Sequence, residues 1–190
     1  SIEKGCYTAG EPAVRYRGLF LNDEAPCLTT WVKNHYGTER GGHEFYADVF
    51  ELILRLRGNF LWPAMWGWAF YADDPLNSKT ADEMGVVMGT SHHEPMARNH
   101  QEWARNPKAY GGVWDYTKNK KELQRFFREG IERSKDNEDL ITIGMRGDGD
   151  AALSGSDEDI IRMMESLFRD QRQIIRKVTG KPAEERPQVW

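Results

Sequence analysis

Parallel α/β architecture is the fold class this sequence predicts, on three observations. Apolar runs of strand length recur along the chain, amphipathic helical patterns separate them, and charged or aromatic groups collect just after each run. The runs span residues 16–21 (YRGLFL), 57–62 (RGNFLW), 85–89 (GVVMG) and 140–145 (LITIGM), with a fifth opening over 188–190. They read as continuously apolar rather than alternating, as strands covered by helices on both faces require.

The helices follow from spacing. Over residues 45–56, Phe45, Val49, Leu52, Ile53 and Leu56 recur at i, i+4, i+7, i+8 and i+11, one face of an amphipathic helix. Residues 123–131 read the same way. Residues 160–178 carry a longer stripe of Ile160, Met163, Met164, Leu167, Gln171, Ile174, Ile175 and Val178, opened by the acidic residues 157–159 and stopped by Gly180 and Pro182. Strand followed by helix, four times over, fits either a doubly wound sheet or a (β/α)8 barrel. A barrel runs to about 250 residues, and this 190-residue chain stops as a fifth strand begins. The expectation is therefore part of a (β/α)8 TIM-type barrel, truncated at both ends. Residues 1–190 would form part of one catalytic domain, with about four β/α units, the start of a fifth strand and no flanking domains.

Composition narrows the partners. The 26 basic and 30 acidic side chains are mixed along the chain, with a formal charge of -4, and no Lys/Arg block suited to a phosphate backbone is present. Nucleic acid is excluded as an expected partner. No run of about 18 apolar residues could cross a membrane, and no leader-like order precedes the first strand. Ser1 is not an initiator Met, which leaves room for an upstream segment. Cys6 and Cys27 build neither a disulfide framework nor a zinc knuckle, and read as small buried hydrophobes.

In parallel β/α folds the loops after the strands converge on one mouth. Those loops here carry Asn22-Asp23-Glu24, then Trp66 and Trp68 just beyond Trp62, then His92-His93-Glu94, then Arg146-Gly147-Asp148-Gly149-Asp150. Each has a bland reading. The first suits a helix N-terminus, single tryptophans fill cores, a lone His is often structural, and alternating Gly and Asp make a solvated turn. All four bland readings would have to hold at four successive strand ends.

Sharper motifs fail on particular residues. Position 97 is Ala and position 95 Pro, which rules out the helix-borne H-E-x-x-H of zinc proteases. The P-C-x-x-C of nucleobase deaminases is missing. No phosphate-binding glycine motif follows a strand. Ala152 stands where a calcium loop starting near Asp148 needs an oxygen ligand. What remains is carboxylates on two strand ends, tryptophans on a third, a histidine pair on the fourth, and one arginine. Two carboxylates can act as acid and base on a glycosidic bond. A guanidinium fork matches a sugar that itself bears a carboxylate.

The stretches RGLFLNDEAP, LRGNFLWPAMWGWAF, GVVMGTSHHEPMARN and ITIGMRGDGD, in this order, resemble the catalytic barrel of glycoside hydrolase family 115, the xylan α-glucuronidases. WPAMW and SHHEPM are its most specific parts. The resemblance implies release of (4-O-methyl-)glucuronic acid from glucuronoxylan with inversion, no cofactor, and a homodimer for the full-length protein. It places Asp23 and Glu24 at the catalytic mouth, Trp66 and one of His92 or His93 on the glucuronic acid, Arg146 on its carboxylate, and Asp150 as a catalytic carboxylate. It also implies that part of the active site lies beyond Trp190.

The expected chemistry has one carboxyl group protonating the leaving oxygen and a second, about 6.5–9.5 Å away, activating water. Glu24 and Asp150 are the first choices, with Asp23 and Asp148 in reserve. Asn22 and Trp62 complete the substrate-binding set, and no metal site is expected. A polymeric substrate implies a secreted or periplasmic protein. Two rival readings remain: a non-catalytic carbohydrate-binding module gripping sugar with an exposed tryptophan strip, and a metal-dependent hydrolase using His92, His93 and Asp150.

Overall fold

A computed structural model describes residues 4–189 apart from Met65, His93 and Pro187. In chain order the elements are β1 (Gly18–Asn22), α1 (Cys27–Tyr36), α2 (His43–Arg55), β2 (Phe60–Ala64), α3 (Phe70–Asp73), α4 (Leu76–Met84) and β3 (Val87–Met88). There follow α5 (His100–Arg105), α6 (Pro107–Tyr110), α7 (Lys120–Ser134), β4 (Ile141–Thr142), α8 (Asp157–Thr179) and β5 (Gln188–Val189). Three short 3-10 turns, at Pro95–Ala97, Asp148–Asp150 and Ala183–Glu185, lie between them.

All strand pairs are parallel. β1 pairs with β2 from Gly18 opposite Phe60 to Asn22 opposite Ala64, and β2 pairs with β3. A single parallel bridge from Gly89 to Leu140 leads on to β4, which pairs with β5. The α/β class and parallel strands are as the sequence predicts. Neighbours in the chain thus lie side by side in the order β1-β2-β3 and β4-β5, joined by that bridge, and helical segments cover the connections.

Pairing sorts the side chains by face. Leu61 and Pro63 of β2 are buried under the helices, while Phe20 and Trp62 lie on the opposite face. Trp62 crosses over β3 because residue 89 is glycine: a Cβ there would stand 2.2 Å from the indole nitrogen. The main core lies between sheet and helices. Tyr46, Phe50 and Ile53 of α2, Phe70 of α3, Leu123, Phe126, Phe127 and Ile131 of α7, and Leu167 and Ile175 of α8 are all fully or almost fully buried there.

Several expected boundaries and faces need correction. α2 buries Phe45, Tyr46, Phe50 and Ile53, leaving Leu52 and Leu56 exposed, so its core face is rotated from the one spacing picked out. Both faces of this helix are apolar, and the one that meets α4, Trp68 and Phe70 is the one buried. The second strand starts at Phe60 rather than residue 57, because Arg57 (φ 61°) and Gly58 close the turn out of α2. The third shrinks because Gly85 (φ 74°) is the left-handed cap of α4, a helix the apolar pattern missed. Cys6 and Cys27 are exposed, not buried.

α8 follows expectation closely. Ser156 caps it, residues 157–159 open it and Gly180 (φ 69°) ends it. Its one polar stripe residue, Gln171, is fully buried and answers both backbone groups of Gly144, accepting from the N–H at 2.7 Å and donating to the carbonyl at 2.9 Å. That pairing ties α8 to the end of β4.

Asp139, just before β4, is also buried and accepts from the Tyr71 hydroxyl at 2.8 Å. Burial pushes its carboxyl up to about 6, against the pull of the Tyr71 hydrogen bond. A folded-state value above the unfolded one means the contribution is fully present below pH about 4 and is lost as pH rises through about 6. The difference corresponds to roughly 3 kcal/mol. Asp139→Asn should therefore gain stability relative to the parent as pH rises from 4 to 7, as read by denaturant unfolding at several pH values; parallel pH profiles would contradict this.

Candidate active site

The end of β1 organises the loop after β2. Asp23 is only 4% exposed, and its carboxylate accepts from the backbone N–H groups of Trp66 (2.7 Å), Gly67 (2.9 Å) and Trp68 (2.6 Å). Its own carbonyl accepts from Thr29 of α1 at 2.6 Å. This folds the loop so that Trp68 turns into the core and Trp66 stays 48% exposed. Gln101 of α5 donates to the Trp66 carbonyl at 2.6 Å and braces the same loop from the far side. Exposed Glu24 lines a cleft of about 650 Å³ with Asp23, Trp66, Lys33, Glu39 and Arg40. Asn22 stands exposed at the end of β1.

After β3, a buried acid again holds the loop. Glu94 accepts from Ser91 through both its N–H (3.0 Å) and hydroxyl (2.8 Å), and from the Asn99 amide at 2.7 Å. Met96 (φ 60°) and Ala97 (φ 55°) then take left-handed backbone, uncommon for such residues. Arg133 of α7 donates to the Ala97 carbonyl and to both Glu102 oxygens, at 2.6 and 2.9 Å. Arg98 lies 3.1 Å from Glu102 and over the Phe126 ring. Burial alone would raise the Glu102 carboxyl, but Arg133 and Arg98 outweigh it and hold it below the usual range. Asn99 and Glu102 also form the capping box of α5.

The end of β4 brings the reactive groups together. Arg146 donates from Nε to Asp150 Oδ1 at 2.8 Å and from Nη2 to the Asp150 carbonyl at 3.0 Å. His92 Nε2 lies 3.2 Å from the same carboxylate. Asp150 has φ 67° and ends a turn in which Gly147 N–H donates to the Ala151 carbonyl. Trp114 donates to the Arg146 carbonyl at 3.0 Å, and the His100 ring meets Trp114 edge-on. His100 Nε2 stands 2.8 Å from Asp148 Oδ1, close enough for an ion pair but without hydrogen-bond alignment.

Of the residues expected at the site, Arg146, His92 and Asp150 thus form one cluster, while Asp148 faces His100 instead. Asp23 is engaged by three amides. Trp62 is half-buried on the sheet face. His93 lies outside the described residues. Sequence reasoning placed Glu94 in its strand-end loop without a role, and missed His100, Trp114 and the Glu102–Arg133 pair. Only the Asn99/Glu102 capping spacing could have flagged any of them; the rest meet across the fold.

The binding-module reading does not gain from this geometry, and the metal reading turns on His93, which lies outside the described residues. A sugar-gripping strip needs exposed, coplanar rings, whereas Trp68, Trp103 and Trp114 are buried. Among the described residues no three His, Cys, Asp or Glu converge to hold a metal ion.

A mouth of carboxylates, arginine and tryptophan at the ends of parallel strands is the furniture of a sugar-cleaving enzyme, and comparison agrees on the class. The model of glycosyl hydrolase family 115 matches residues 9–190, and the chain belongs to that family. Among solved structures it is similar to BtGH115A, described as a family GH115 4-O-methyl-alpha-glucuronidase with specificity for decorated arabinogalactans, at 34% identity and a TM-score of 0.86. The match covers 94% of this chain and 24% of that one, so the chain spans about a quarter of that relative's length. A comparison with curated proteins gives no match.

Asp23→Ala strands three backbone donors where Asp23 now satisfies them. It should lower unfolding stability by about 2–4 kcal/mol and change the Trp66 environment in fluorescence quenching. Unchanged stability would show that water replaces the carboxylate.

Proposed function

We propose that this chain forms part of the catalytic mouth of an α-glucuronidase, which removes (4-O-methyl-)glucuronic acid from glucuronoxylan or a similarly decorated polysaccharide. The observation that carries the reading is the cluster of Arg146, His92 and Asp150. In-order parallel winding supports part of a (β/α)8 barrel, with this mouth at the carboxyl ends of its strands.

The roles follow from the contacts. Arg146 has a donor-rich planar head matched to a uronate carboxylate, and it is now engaged by Asp150. A uronate at the same guanidinium puts a second negative charge beside Asp150, which favours uptake of a proton there. That proton is what the leaving oxygen needs. His92 orients the Asp150 carboxylate, and His93 is kept as a partner of the sugar hydroxyls. Trp66 supplies a flat apolar platform for the ring, with Trp62 and Asn22 deeper in the mouth.

Glu24, exposed in the neighbouring cleft, is the candidate base that activates water for inversion. Asp23 positions the Trp66 loop, and Asp148 is the reserve acid. No cofactor enters this scheme. The substrate places the protein outside the cell or in the periplasm, and a homodimer is the proposed assembly of the full-length protein.

In the full polypeptide that carries this sequence, Arg146→Ala should lower kcat/KM on glucuronoxylan by about 100-fold or more. Asp150→Asn should lower kcat by about 10²–10⁴-fold. Release of glucuronic acid from glucuronoxylan and from decorated arabinogalactan is the assay, with NMR of the first-formed anomer testing inversion. Full turnover of the charged substrate by Arg146→Ala would sink the carboxylate role.

A further inference from the structure

A second cleft, of about 420 Å³, opens on the outer side of the turn that carries Asp150. One wall comes from the loop before α7, with Trp114, Asp115 and Lys118; the other from the loop before α8 and its first turn, with Asp148, Ser154 and Asp159. The cleft therefore starts at the turn bearing the proposed acid and runs between two neighbouring strand-end loops. Its size lies within the range of small-ligand sites.

Charge decides what could enter. Of those six residues three are carboxylates and one is a lysine, and Lys118 is already paired with Asp115 at 2.8 Å. Asp159 is likewise paired with Arg162 at 2.7 Å and Asp148 faces His100 at 2.8 Å, so the walls offer a uronate no guanidinium fork of the kind Arg146 presents. A neutral sugar is suited instead, because its hydroxyls donate to carboxylates and accept from ammonium and hydroxyl groups. Leu153, Ile160 and Met163 add apolar surface for the C–H faces of the rings. Trp114 links the two regions: it lines the cleft and also holds the Arg146 carbonyl.

We infer that this cleft is a subsite for the neutral backbone of the polysaccharide, beyond the sugar unit that bears the glucuronic acid. The inference rests on the proposed glucuronidase reading. If a side chain is cut at Asp150, the remaining polymer must leave the mouth, and the cleft beside that turn carries its neighbouring sugars. The cleft would thereby discriminate polymer from short fragments without touching the scissile bond.

The test uses Ser154→Trp, which fills the cleft, and Lys118→Ala, which removes one exposed donor. Both are measured in the full polypeptide on glucuronoxylan and on a disaccharide of glucuronic acid linked to one xylose. The expected result is a kcat/KM on polymer reduced by about tenfold in Ser154→Trp, less in Lys118→Ala, with disaccharide turnover unchanged in both. Binding of xylotetraose or a galactan tetrasaccharide, both free of uronic acid, should shift the Trp fluorescence of the parent protein and not that of Ser154→Trp. Equal loss on both substrates, or no loss on either, overturns the subsite. Failure of the parent polypeptide to cleave either substrate overturns the glucuronidase reading, and the subsite with it.

Discussion

A carboxylate buried at the end of a strand must be fully hydrogen-bonded, and the way Asp23 meets that demand shapes the site around it. Its two oxygens gather three successive N–H groups from a loop more than 40 residues away in sequence. A charged acceptor makes such bonds stronger than neutral ones, and a buried acceptor left short of partners would be costly. The loop therefore has one arrangement in which Trp68 is core and Trp66 is surface. The same device recurs after β3, where Glu94 and Glu102 hold a segment containing two left-handed residues.

This gives the acids of the mouth two separate kinds of work. Those that are buried are held by amides, hydroxyls and guanidinium groups, and fix the loops around them. Those that remain accessible are Glu24, next to Asp23 in the chain, and Asp148 and Asp150, on a turn that Trp114 and His100 hold. Precision in the second group depends on rigidity in the first, since a reacting carboxylate misplaced by an ångström loses much of its effect. Arg146 joins the two kinds of group, being anchored by Trp114 through its carbonyl and presenting its guanidinium to Asp150.

Local patterns were legible where the physics is local. The stripe of α8, its acidic opening and its glycine stop all follow from helix geometry, and the clustering of polar groups after apolar runs pointed to the mouth. The face of α2 was not legible, because apolar residues lie on both sides of that helix and only contact with Trp68, Phe70 and α4 selects Phe45 and Tyr46. Among the site residues, type and approximate place were readable, but not the division between Asp23 and Glu24. Adjacent in sequence, they differ in burial because the chain leaves β1 with one side chain turned toward the 66–68 amides and the other toward solvent.

By itself, the sequence determined the alternation of strands and helices and the chemical types gathered at the strand ends. Spacing along the chain suffices for those, since periodicity and residue type act over a few residues. The tertiary structure alone decided which carboxylates are buried, that His92 reaches Asp150 across 58 residues, and that His100 and Trp114 brace the turn between them. Such contacts depend on strands from different parts of the chain ending side by side, and no local pattern encodes that neighbourhood.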